Sequence, residues 1–232
     1  MQLTDQHIEQ LYKFTRQHFV EHYDVQTELV DHLANDIEQI WEENPTLTFE
    51  QARDKSFKKF GVFGFMNVVE EKQKQMNKKY FMIILGFVKQ WFSIPKIILT
   101  FALFYCFYFL LQFSFAQNLF NGFFFTVIII EFFVLFKKRE KLDRKFKKTG
   151  KKWMLEDIIE TQSHGNVVFL LFYLFQFLTP SSYENLSIFT SVIIAFAATL
   201  TIIIGYISLI IIPKKAEELL EAQYPEYKFA NN

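Results

Sequence analysis

The sequence predicts an all-α protein: a small N-terminal cytoplasmic helical domain followed by a four-helix transmembrane bundle. Three observations carry that prediction. Four long apolar runs fill most of the stretch from Ile97 to Ile212. The dense Lys/Arg clusters all fall on one side of the membrane those runs imply. Ahead of the runs, apolar residues recur at helical spacing among many acids. The 232 residues are 51% hydrophobic and include 31 Phe. Formal net charge is 0, yet the charge is polarised. Residues 1–50 hold 11 acids against 2 bases, a net of −9. Residues 137–152 hold 10 bases against 2 acids, a net of +8.

The reading divides the chain into a four-helix adaptor domain at 1–76, an interfacial linker helix at 77–95, a four-span domain at 96–213 and a cytoplasmic tail at 214–232. The first domain opens at Thr4-Asp5, a capping residue with an acid in the first turn. Ile8, Leu11, Tyr12, Thr15 and Phe19 follow at helical spacing, and the helix is expected to end near Tyr23. A second helix, from about Val25 to Glu43, buries Val25, Leu29, Val30, Leu33, Ile37, Ile40 and Trp41. It turns Asp31, Asn35, Glu38 and Glu42 outward, and Asn44-Pro45 stops it. Thr48 with Gln51 three residues on is a capping box that opens a third helix. Gly61 fits the left-handed position that ends it. Phe14, Phe19, Trp41, Phe49, Phe57 and Phe60 supply the expected aromatic core, and a fourth helix is expected over Phe65–Met76.

Tyr80 to Val88 is apolar but too short to span, since a span needs roughly 20 apolar residues. Pro95 marks a break after it. An in-plane interfacial helix is the expectation there, with a longer, kinked first span as the alternative. The runs Ile97–Phe115, Leu119–Phe136, Val167–Leu178 and Leu186–Ile212 are the four spans. The connections Ala116–Gly122 and Thr179–Ser187 carry no Lys or Arg. The loop 137–166 and the segments before the first span and after the last one are basic. The positive-inside rule then places both termini in the cytoplasm of a multi-pass membrane protein. The loop 137–166 holds Lys147, Lys148, Lys151 and Lys152, which orient the chain and could bind anionic lipid or dock the acidic domain. Its Trp153, Met154, Leu155, Ile158 and Ile159 form an amphipathic segment expected at the membrane interface. In the fourth span, Ser191, Ala195, Ala198 and Gly205 lie near one face, suited to close helix packing within the bundle or between copies in a homo-oligomer.

The first domain also carries Glu28-Leu29-Val30-Asp31-His32-Leu33, then Ile37-Glu38, Thr48-Phe49-Glu50-Gln51-Ala52, Phe57 and Phe60-Gly61. This pattern resembles the HAAS-type domain, a small all-helical module of prokaryotic membrane proteins often found beside PadR-like transcription regulators. The match covers about a third of the chain. Val62-Phe63-Gly64 follows where the family continues with polar residues or Pro. The resemblance implies a signalling or adaptor role with a cytosolic regulator protein as partner, and Asp31, Asn35, Glu38 and Glu42 are the candidate partner-binding residues.

Few residues suggest chemistry. His18 and His22 lie one turn apart, and Glu28 and His32 repeat that spacing. Such pairs could hold zinc, but they equally suit a surface ion pair and a helix C-terminus, so no metal site is assigned. Glu131 lies inside the second span with no second intramembrane acid or base in view. A carboxylate there points to ion or proton handling, or to pairing with Lys137 or Lys138 at the interface. No phosphate loop, dinucleotide turn, nucleophile elbow or zinc-protease motif occurs, so no enzymatic activity, cofactor or direct nucleic-acid binding is expected. Two functions remain: a membrane-anchored signalling adaptor, or a small transporter or transporter subunit using Glu131. Membrane lipids are partners in either.

Overall fold

The computed structural model describes residues 2–178 and 187–230. The connection expected at Thr179–Ser187, which carries no Lys or Arg, therefore lies outside the described residues but for Ser187. Every described element is helical. The chain falls into two units: residues 1–78 with 150–155, and residues 79–149 with 156–232.

In the first unit, α1 (Asp5–Gln17) starts at Thr4, whose hydroxyl accepts from the His7 amide while His7 Nδ1 accepts from the Thr4 amide. Helix α2 (Tyr23–Glu43) packs between α1 and α3 (Phe49–Lys58). Leu11, Leu29, Leu33, Ile37 and Trp41 are buried there, as the helical spacing predicts. Thr48 and Gln51 form the expected capping box, and Gly61 takes the left-handed conformation, φ 78°. A second left-handed glycine, Gly64, leaves no room for a side chain: a Cβ would sit 2.9 Å from the Phe57 ring. That close approach lets Phe65 pack against Phe57, Phe60 and Phe14. Phe65 is fully buried, a core role that the sequence pattern did not single out.

Helix α1 ends earlier than the spacing predicts, and Phe19 is not core. Its φ is 64°, and its side chain is 81% exposed. The Phe19 amide donates to Arg16 O at 3.1 Å and the Val20 amide to Thr15 O at 3.2 Å. This is a Schellman turn with a phenylalanine at the position that usually needs glycine. The left-handed backbone turns Phe19 away from the stripe it would have continued, and Val20 is buried in its place.

Helix α4 (Met66–Trp91) is one element where two were expected. No glycine or proline separates Met76 from Tyr80, so nothing stops the helix there. Trp91 is buried rather than spread at a headgroup level, and its indole N–H donates to Thr100. The chain then bends by 95° into α5 (Ile94–Leu110).

The second unit holds α5, α6 (Ala116–Thr149), α8 (Ser163–Leu178) and α9 (Ile188–Tyr206). Helix α9 packs on α5 and α8, and α6 packs on α8. The small-residue stripe of α9 faces inward: Ser191, Ala195 and Ala198 are buried. Ala195 packs with Leu111, Ala116 and Phe120, and the space beside Gly205 is filled by Val167 of α8. Outward faces carry Phe101, Phe125, Phe132, Phe133, Phe169 and Phe196, all exposed, far more apolar surface than a water-soluble protein leaves bare. Ala116–Thr149 and Ile188–Lys214 are each long and apolar enough to cross a membrane, and the bent α4–α5 pair could supply a third crossing. Among the described residues, two π turns interrupt the helices. Ile158–Gln162 joins the short α7 (Met154–Asp157) to α8, and Ile207–Ile211 joins α9 to α10 (Ile212–Lys214). Helices α11 (Ala216–Gln223) and α12 (Tyr227–Ala230) complete the described chain.

Replacing Phe19 by Gly removes the strain of a side chain in the left-handed region at the loss of almost no burial. Phe19→Gly is expected to stabilise the first unit by about 1 kcal/mol, read as a raised urea midpoint of the full-length protein in micelles. A destabilised variant would show that the Phe19 ring makes a contact that matters.

Candidate functional site

The polar residues of the second unit line up along one seam. Helix α6 does not stop at the end of the apolar run. It continues through Lys147 and Lys148 to Thr149, because the Lys/Arg/Glu-rich sequence after Phe136 is made of good helix formers. That places Glu131, Lys138 and Lys145, seven residues apart, near one face of one helix. The antiparallel segment α7, π turn and α8 offers Glu156, Glu160 and His164, four residues apart. The π turn underwinds the helix with its i→i+5 bonds, which keeps those three on a common side.

Three rungs result. The innermost joins Glu131 Oε2 to His164 Nδ1 at 2.6 Å, with side chains 10% and 3% exposed. In the middle rung, Lys138 Nζ donates to Glu160 Oε2 at 2.5 Å. In the outermost, Lys145 Nζ donates to Glu156 Oε1 at 2.5 Å. Tyr227 of α12 closes this last rung: its hydroxyl donates to Glu156 Oε1 at 2.9 Å and accepts from Lys145 at 2.8 Å. The α6 residues span about 21 Å of helix rise and their partners only about 12 Å. Side chains lean toward their own helix N-termini, so the long lysines of α6 reach inward and the glutamates reach outward, and the mismatch closes.

Glu131 thus has a partner that the sequence reading placed elsewhere. His164 falls within the loop 137–166 of the sequence reading; its position at the head of the apolar run that begins at Val167 was the available signal. Lys138 does not reach Glu131, because Glu160 holds it. Immediately beyond the Glu131 rung the seam is apolar, with Phe124, Val167 and Leu171 packed with Val127, Ile128 and Leu209. Tyr80 from α4 is also buried, and its hydroxyl lies beside Ser163 and Ser208 without meeting hydrogen-bond geometry.

The amphipathic segment after the basic cluster is not spread on a surface. Trp153, Met154, Leu155, Ile158 and Ile159 are all buried. Residues 150–155 form a strap that belongs to the first unit. The Tyr23 amide donates to Lys152 O at 2.6 Å, Arg16 to Gly150 O at 3.0 Å, and the Met154 amide to Asp24 at 3.2 Å. Lys152 pairs with Glu21 at 3.2 Å, Lys151 lies 4.3 Å over the Tyr23 ring, and Trp153 meets the same ring edge-on at 5.2 Å. Lys147 and Lys148, in contrast, are exposed at the end of α6. Asp31, Asn35 and Glu42 are exposed along α2 and Glu38 is half-buried. The strap's polar contacts fall at Arg16, Glu21, Tyr23 and Asp24, not on that α2 surface.

His7, His18 and His32 pack against aromatic rings. His18 Nδ1 lies 2.8 Å from Phe14 O, and its ring packs on Phe57. His32 lies beside Phe60, and Glu28 pairs with Lys72 at 2.6 Å rather than with His32. Among the described residues no group of three or more metal-ligating side chains converges. Asp36 is held by Lys59 at 2.5 Å. Burial pushes its carboxyl up, but the hydrogen bond from Lys59 and the charge of that ammonium outweigh this and leave it below the usual range.

Compared with family models, curated proteins and solved structures, the chain matches none.

Burial by itself lowers the pKa of Lys145, but its hydrogen bonds to Glu156 and Tyr227 outweigh this and hold it above the ordinary lysine value. Burial likewise pushes the Tyr227 hydroxyl up. Both shifts have the same sign. The stability they contribute is fully present below pH about 10 and is lost as pH rises through the higher folded values. Glu156→Gln is expected to lower stability at neutral pH and to flatten this alkaline decline, measured as helical circular dichroism against pH. An equally steep decline in the variant would remove the rung from the account.

Proposed function

We propose that this chain is a membrane-anchored signalling adaptor of a bacterial inner membrane. In this reading four helices span the bilayer, both termini are cytoplasmic, and the first unit is a cytoplasmic domain that docks a cytosolic regulator protein. The charge division along the sequence supports the orientation. The acidic α2 surface, Asp31, Asn35, Glu38 and Glu42, is the proposed partner face. The pattern from Glu28 to Gly61 that resembles the HAAS-type domain supports the class of function.

The strap is the observation that carries the proposal. A stretch of the loop between two apolar helices, 150–155, is built into the first unit through main-chain hydrogen bonds. It is covalently continuous with α6 on one side and with Glu156 on the other. A shift of those helices, caused by lipid or by a small molecule, therefore pulls on residues that α1 and α2 hold. An anchor that merely tethered a soluble domain would need no such second attachment.

Two results test this reading. Lys151→Glu with Lys152→Glu places a like charge beside Glu21 and removes the cation over the Tyr23 ring, and is expected to speed hydrogen exchange at the Tyr23 and Met154 amides at least tenfold. Lys147→Glu with Lys148→Glu is expected to leave them protected. Equal protection in both double variants would detach the strap from the mechanism. Crosslinking pull-down from native membranes, with a variant lacking residues 1–76 as control, tests the adaptor role. Capture of a cytosolic regulator by the full-length chain alone is expected, and capture of the same membrane protein by both would oppose it.

A further inference from the structure

The Glu131–His164 rung differs from the other two. It is the most buried, it lies deepest along the apolar part of α6, and one of its atoms is left over. His164 Nε2 is enclosed and has no hydrogen-bond partner. A buried polar nitrogen without a partner is costly and calls for a reason.

We propose that Glu131 and His164 form a proton-binding site in the apolar interior of the second unit, with His164 Nε2 as the atom that takes up and releases the proton. The carboxylate at 2.6 Å fixes the imidazole with its proton on Nδ1, as an acidic neighbour sets the tautomer of a histidine. Nε2 then presents a bare lone pair. A proton arriving from water bonds to that lone pair, and the dyad passes from a net charge of −1 to a neutral imidazolium–carboxylate pair. Release reverses the step.

On α6 and the facing π turn, Lys138 and Glu160 neutralise each other. Helix α4 contributes the Tyr80 hydroxyl, and the second π turn contributes that of Ser208. The Thr199 hydroxyl of α9 is bonded to Ala195 O, and Lys214 of α10 is exposed. The π turn Ile158–Gln162 directly precedes Ser163-His164, and π turns recur at working sites because they free local backbone geometry. The proposal stands independently of the adaptor reading: it concerns what the second unit binds, not what the first unit docks.

The test is a pH titration of the full-length protein in lipid nanodiscs with nitrogen-15-labelled histidine, the His164 signal being assigned by its loss in His164→Gln. Between about pH 5 and 9, His164 is expected to titrate in one step at Nε2, with Nδ1 carrying hydrogen throughout. Glu131→Gln is expected to move the midpoint down by about one unit or more, because the anion that favours the imidazolium is gone. Glu131→Asp, which keeps the charge, is expected to move it less. A His164 that stays in one form across this range, or a midpoint that Glu131→Gln leaves in place, would overturn the proposal. If Glu131→Gln does not fold, the wild-type titration and the Glu131→Asp midpoint decide. A purely packing role predicts no titration at all.

Discussion

The antiparallel seam between α6 and the α7–α8 segment is the constraint on which the second unit depends. Apolar helices in lipid have little to choose between one register and another, since lipid tails are as greasy as the side chains they replace. Charges do discriminate. A slip of one turn along the seam of Glu131–His164, Lys138–Glu160 and Lys145–Glu156 would leave half-buried carboxylates and ammonium groups without partners. Buried ion pairs contribute modestly to stability compared with apolar replacements, but stranding one member is costly. The seam therefore acts chiefly on which arrangement forms.

Once that register is set, other features follow. The outermost rung brings Lys145 close to Glu156, so the residues between them form a closed loop whose tip is the strap. Tyr227 on that rung ties α12 to the same seam. On the far side of α8, Val167 fills the space beside Gly205, and Ala195 lets α9 approach the turn between α5 and α6. Small residues, not charges, govern those contacts, as expected where helices must come close without a hydrophobic driving force.

Much of this was legible in the sequence. The apolar stripe of α2, the helix start at Thr4, the capping box at Thr48 and the glycine at Gly61 declared themselves through local rules. So did the apolar length of the helices at Ala116–Thr149 and Ile188–Lys214. What was not legible depended on tertiary geometry. Phe19 sits on the helical stripe of α1, and only the Schellman turn turns it out. His164 reads as a polar residue in a basic loop until α6 and α8 pair. Trp153 and Leu155 look like an amphipathic segment for a membrane surface, because nothing local shows that α1 and α2 offer Tyr23, Asp24 and Arg16 to hold the stretch around them.

The central claim, that charge pairing sets the α6–α8 register, is tested most directly by exchanging the middle rung. Thermal unfolding of the full-length protein in micelles would be compared for Lys138→Glu, Glu160→Lys and the two together. Each single reversal strands like charges in the seam and should lower stability by about 3 kcal/mol. The double exchange restores the pair in opposite polarity and should recover most of the loss. Two single reversals that simply add in the double variant would show that the rung is incidental and that apolar packing alone sets the register.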